Sequence, residues 1–157
     1  MSNNKSKDKG SRWEREIARL FNENFEGADF RRIPGSGALG TQLGIASLGA
    51  DIEGKLPFLQ KTIRGEAKTG YGGEKQLTVK REWLEQIREE AEKTNSIPML
   101  FAKFLGARGN SRIFVMLDWE AFLDILDESW YNYSEHVRLL NKVEARKNDV
   151  GNDEDVS

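Results

Sequence analysis

Trp13, Ile17, Leu20 and Phe21 are spaced as one face of a helix. The pattern predicts a helix over 11–24, capped by Ser11 and closed by Gly27. Arg12, Arg15 and Arg19 fall together on another face of it. Residues 30–33 read as a short strand. A long loop follows over 34–49, PGSGALGTQLGIASLG, with five glycines; loops of this length are usually functional. A strand then begins at 50–54, and 59–69 reads as its hairpin partner. Residues 70–76 form a glycine-bearing turn that holds Lys75. Thr78 caps a second predicted helix over 78–93, with Trp83, Leu84, Ile87 and Ala91 on its apolar face and Asn95 and Pro98 beyond its end. Two apolar strands, 99–105 and 112–117, are joined by Gly-Ala-Arg-Gly-Asn, a hairpin signal. Asp118 caps a third helix over 118–127, and 134–143 reads as a short amphipathic helix.

The order is α-β-β-β-α-β-β-α. It implies a single mixed sheet of about five strands flanked by helices, an α/β or α+β domain. Residues 1–10 read as a disordered arm and 11–128 as the folded domain. Residues 129–143 form an aromatic, amphipathic segment, and 144–157 an acidic tail expected to be disordered. At 157 residues the chain is long enough for one domain with a substantial core. The absence of cysteine excludes disulfides, cysteine–zinc sites and thiol nucleophiles, and suits a reducing cytosol. The first ten residues are polar, so neither a signal peptide nor a membrane partner is expected.

Net charge is −2, with a pI of about 5.6, which by itself argues against nucleic acid as a partner. Its distribution changes the picture. Residues 1–93 hold 17 Lys and Arg against 15 Asp and Glu, whereas 94–157 hold 7 against 11. From Lys55 to Arg81 there are seven basic residues and two acidic ones. That stretch either serves phosphates or merely solvates a surface.

The candidate chemistry is carboxylate chemistry. Phosphodiester hydrolysis needs a polarised phosphoryl oxygen, a deprotonated water and charge relief on the leaving oxygen. A hard cation held by one or two carboxylates supplies all three. Asp51 opens one predicted strand and Glu66 lies in the next. The 14 residues between them (66 − 51 − 1) suffice for a hairpin return. Side chains at i and i+2 share a strand face, so Glu66 and Lys68 point the same way, roughly 6.6–6.8 Å apart. Ala67 then faces the core, and its backbone carbonyl is a further candidate metal ligand. Two roles are open to the Lys68 ammonium: orienting the attacking water, or stabilising the charged transition state. Glu-x-Lys alone is also what a surface ion pair looks like. These acids, however, sit in apolar, glycine-flanked segments, where a bare carboxylate is costly unless paired or ligated. Glu14 is a third candidate, about 100° from Trp13 at the margin of the buried stripe. Its alternative is a solvated glutamate near a helix start.

Other patterns carry less. Gly35-Ser36-Gly37-Ala38-Leu39-Gly40 spells GxGxxG, but no apolar helix follows it, so a dinucleotide site is not expected. His136 is the only histidine, too few for an HNH or zinc site. Trp130, Tyr131 and Tyr133 suit either base stacking or packing of the C-terminal segment onto the domain, and packing is the expectation.

Four segments, GSRWEREIARLF, FRRIPGSGALG, GADIEG and IRGEAKT, resemble in order the motifs of archaeal-type Holliday junction resolvases, within the PD-(D/E)xK nuclease superfamily. The resemblance runs from about Gly10 to Leu117. It implies a restriction-endonuclease-like fold and a Mg²⁺-dependent endonuclease, with Mn²⁺ able to substitute. Glu14, Asp51, Glu66 and Lys68 would form the active site. The resemblance further implies a homodimer acting on branched DNA and nicking a four-way junction symmetrically. Ser36 matches a junction-contacting serine, Arg31 or Arg32 the arginine before it, and Arg15 the basic residue after the helix glutamate. Arg12, Arg19 and Lys75 are further candidates for phosphate contacts. Trp83 and Ile87 are candidates for the dimer contact, with ordinary core packing as the alternative. Two features lie outside the resemblance: the length of the loop over 35–49 and the segment from Ser129 onward. A restriction-like or repair nuclease and a non-catalytic DNA-binding module remain the other readings.

Overall fold

A computed structural model describes residues 3–34, 50–69, 71, 76–104 and 113–152. Its elements follow the expected order: α1 (Asn3–Asn24), β1 (Asp29–Arg32), β2 (Ile52–Lys55), β3 (Ile63–Thr69), α2 (Arg81–Lys93), β4 (Ile97–Lys103), β5 (Ile113–Met116) and α3 (Trp119–Asn152). The sheet runs β1-β2-β3-β4-β5. Its pairs are antiparallel except β3 with β4, which are parallel. Parallel neighbours need a crossover, and α2 supplies it.

The main core lies between α1 and one face of the sheet. Trp13, Ile17 and Ala18 pack there with Phe30, Ile52, Ile63 and Phe101. Strand alternation selects these residues and sends Glu53, Arg64, Glu66 and Lys68 to the other face. Two glycines set the spacing. A Cβ at Gly54 would overlap the Phe30 ring, and one at Gly65 would overlap the Phe101 ring. Asn22 fastens α1 to β1: its carbonyl accepts from the Phe30 N–H at 2.8 Å, and its amide donates to the Phe30 carbonyl at 2.9 Å. On the α2 side a smaller cluster joins Ile33, Ala50 and Ile87.

Several expectations are corrected. α1 begins at Asn3, so the stretch read as a disordered arm is helical from there, and Ser11 is inside the helix rather than its cap. α2 begins at Arg81 after an extended Lys80 with no side-chain cap, so Thr78 caps nothing. Pro98 lies inside β4, and the helix before it ends on Thr94 and the positive-φ residue Asn95. Asp118 does cap α3, accepting from the Ala121 N–H at 2.7 Å. That helix runs unbroken to Asn152, through the supposed gap after 127 and into the supposed disordered tail. The reason is visible in the sequence: no glycine or proline interrupts 119–150. The expected packing of Trp130, Tyr131 and Tyr133 onto the domain does not occur, because all three are exposed. Trp83 and Ile87 are buried within the chain, so they are core residues and not a dimer contact. The loop over 34–49 lies outside the described residues beyond Pro34, as do Ser36 and Lys75.

Candidate active site

The hairpin β2–β3 brings the predicted acids together. Asp51 is held by its backbone on both sides: its carbonyl accepts from the Ile33 N–H at 2.8 Å, and its N–H donates to the Gly65 carbonyl at 3.0 Å. Its side-chain Oδ2 accepts from the Ala67 N–H at 3.0 Å. The Asp51 carboxylate therefore leans against the peptide that joins Glu66 to Ala67. Glu66 accepts a hydrogen bond from the Lys68 ammonium, and both side chains are mostly buried. Lys68 Nζ also lies 5.3 Å from the centre of the Trp83 ring, a cation–π contact supplied by α2. The Tyr71 ring meets the same indole edge-on at 4.6 Å.

Electrostatics mark the place as strained. Burial, then the charge of Asp51, raises the Glu66 carboxyl from its usual 4.5 to about 7, against the opposing pull of Lys68. For Lys68, burial pulls the pKa down, but Glu66 and Asp51 outweigh it and the result is raised. The asymmetry has a simple cause: the lysine answers to two carboxylates, while Glu66 has one ammonium to offset both desolvation and a like charge. Glu90, on α2, adds further negative charge near Glu66. Its Oε2 is buried without a hydrogen-bond partner, and its Oε1 accepts from Gln86 at 3.1 Å. Sequence reading passed over Glu90, and no local motif flags it.

Glu14 is placed differently. Its carboxylate accepts from Arg32 Nε, and the same guanidinium donates to Ser11 Oγ at 2.9 Å. Arg32 alternates with Arg31 on β1 and so shares the α1 face with Phe30, away from Glu66 and Lys68. Among the described residues, no three acidic, histidine or cysteine side chains converge closely enough to hold a metal ion. The structure thus joins Asp51, Glu66 and Lys68 and leaves Glu14 with Arg32. Two carboxylates are still a sufficient protein contribution for Mg²⁺, which keeps most of its own water. The excess negative charge that lifts Glu66 is what a divalent cation would relieve, so the donor set fits one.

The predicted phosphate contacts divide. Arg12 and Arg15 are exposed on α1. Arg19 is exposed and paired with Glu23. Arg31 and the buried Arg64 both bind Glu53, at 3.0 and 3.1 Å. Arg32 is committed to Glu14 and Ser11. Glu53 was missed by sequence reading, although Asp51-Ile52-Glu53 shows the period-2 signal that puts both acids on one face. It neutralises part of the basic stretch counted from sequence.

A mixed sheet carrying an aspartate and a Glu-x-Lys pair side by side on a β-hairpin is the arrangement of the PD-(D/E)xK nuclease superfamily. The sequence pattern of the family described as "Phage putative PDDEXK endonuclease" matches residues 5–153, and the chain belongs to that family. Similar solved structures include the Holliday junction resolvase Hjc of Archaeoglobus fulgidus, from an archaeal hyperthermophile. That protein is 17% identical, with a TM-score of 0.45, over 70% of this chain and 84% of its own. No curated protein sequence matches.

Proposed function

We propose that this chain is a divalent-cation-dependent endodeoxyribonuclease that resolves four-way DNA junctions, acting as a homodimer through paired symmetric nicks. The observation that carries the nuclease reading is the meeting of Asp51, Glu66 and Lys68 beside one another on the hairpin. The junction reading rests on the order of the four motifs, not on geometry. Asp51 and Glu66 are the protein's metal ligands in this proposal, with the Ala67 carbonyl beside them. A bound Mg²⁺, or Mn²⁺ in its place, supplies charge relief at the phosphoryl group and a more acidic water. Lys68, fixed by Glu66 and Trp83, aims its ammonium at the attacked phosphate, where it orients water or steadies the developing charge. Glu14, held by Arg32 on the α1 face, is the third acid of the reading and would complete the site through water once Arg32 moves onto a DNA phosphate. Arg12, Arg15, Arg19 and Arg31 meet the DNA backbone, together with Ser36 and Lys75.

A panel of four-way, flap, mismatched and plain duplex DNA, each with and without Mg²⁺ or Mn²⁺, tests the proposal. Selective paired cutting of the four-way substrate is expected. Equal cutting of plain duplex would point instead to a restriction-like or repair nuclease, and no cutting with either metal to a non-catalytic module. Asp51→Asn should abolish nicking while leaving junction binding nearly intact. Full activity in that variant refutes the metal assignment.

A further inference from the structure

α3 spends one face on the domain and leaves another bare. Ala121 is buried and Ile125 packs against the core. Lys61 pairs with Asp124, and the Asn132 amide donates to the Phe58 carbonyl at 2.7 Å. Beyond Asn132, the hydrogen bonds and ion pairs among the described residues lie within the helix itself. Yet α3 continues to Asn152, roughly another 30 Å at 1.5 Å per residue.

Away from the inner face runs a seam: Trp119, Leu123, Leu126, Trp130, Tyr133, Val137 and Leu140. The steps alternate four and three over three full heptads, the spacing at which two helices keep meeting as they wind together. Trp119 is 67% exposed, Trp130 69% and Tyr133 60%. Taken with the leucines, roughly 600 Å² of apolar side chain per helix faces water, at the top of the range of about 300–600 Å² for the largest patch on a monomer, where such patches are often functional. Two such seams together bury about 1,200 Å², the lower edge of stable protein interfaces.

The chemistry of the helix selects the occupant. Residues 119–146 hold six acidic and three basic side chains, so neither a phosphate backbone nor an anionic membrane suits it. Beside the seam stand Glu120, Phe122 and Asp127 at its start and Ser129, Ser134, His136 and Asn141 further on, so from Ser129 to Asn141 no carboxylate flanks it and a second copy brings no like charges together there. We propose that the α3 seam is where a second copy of this chain docks, helix against helix. The inference rests on the dimeric reading above and gives it a surface, now that Trp83 and Ile87 are accounted for inside the fold.

The test is solution mass by sedimentation from low to high micromolar protein, on wild type, Trp130→Glu/Leu140→Glu, and an off-seam control, Arg138→Glu/Lys142→Glu. Wild type and control should sediment as dimers and the seam variant as a monomer. Thermal unfolding of the seam variant should remain cooperative, since both residues are exposed. A monomeric wild type, or a seam variant that keeps the dimer mass, overturns the proposal. Nicking with Mg²⁺, assayed on the same samples, separates the two readings. A seam dimer that cuts no DNA upholds the interface and sinks the nuclease. An active wild-type monomer does the reverse.

Discussion

At Glu66, burial and the adjacent Asp51 charge leave a carboxyl that holds its proton to about pH 7. The linkage has a definite sign. Between pH 4.5 and about 7 the folded chain keeps a proton that the unfolded chain has released, so stability falls as pH rises through that window. Below it the cost is absent, and above it the loss is complete. Glu66 is only 13% exposed, so the full shift applies, and it amounts to about 3 kcal/mol. Denaturant unfolding of metal-free protein at about pH 4.5 and about pH 8 should show wild type losing that much relative to Glu66→Gln. Parallel behaviour of the two proteins would mean that the carboxyl is not perturbed. The predicted Glu-x-Lys pair was legible in sequence because strand alternation is local and strict. The pairing of Glu14 with Arg32 was not, because it depends on which sheet face α1 covers.

At the level of elements, the β2–β3 hairpin and the α2 crossover work as one positioning device. The hairpin sets Asp51 against the Ala67 peptide, and α2 returns across the same face to put Trp83 beneath Lys68. The hairpin needs glycine at 65, since the Phe101 ring occupies the space a Cβ would take. Gly65→Ala should therefore destabilise the fold by about 1–3 kcal/mol, the usual cost of overpacking a core. Chemical denaturation measures it, and an unchanged midpoint would show that the ring yields freely. Element order was readable from periodicity, while element ends were not. The sequence cues at Ser11 and Thr78 are genuine capping residue types, but helix ends are set by which turns the rest of the chain supports.

For the whole molecule, net charge and local charge pull in opposite directions. A chain of net charge −2 that grips DNA must do so through a few local cations. Many basic residues of the 55–81 stretch are already paired: Lys61 with Asp124, Arg64 with Glu53, Lys68 with Glu66, and Arg81 with Glu85. Binding should consequently weaken with salt along a slope worth about 5–6 phosphate contacts per protomer, the cations assigned to DNA above, without a contribution from those paired lysines and arginines. Fluorescence anisotropy of labelled junction DNA against salt concentration measures the slope. A value near ten contacts per protomer would mean that the ion pairs open on binding.

Residue order alone determined the succession of helices and strands, the hairpin acids and the lysine two positions on. Each of these follows from spacing along one stretch of chain, where periods of 3.6 and 2 are fixed by backbone geometry. Tertiary structure decided which face each charge joined. It gave Arg32 to Glu14, Glu53 to two arginines and Trp83 to Lys68, and it left the aromatic seam of α3 in water. Such pairings join segments far apart in sequence, and no local pattern encodes a distance that only the closed sheet creates.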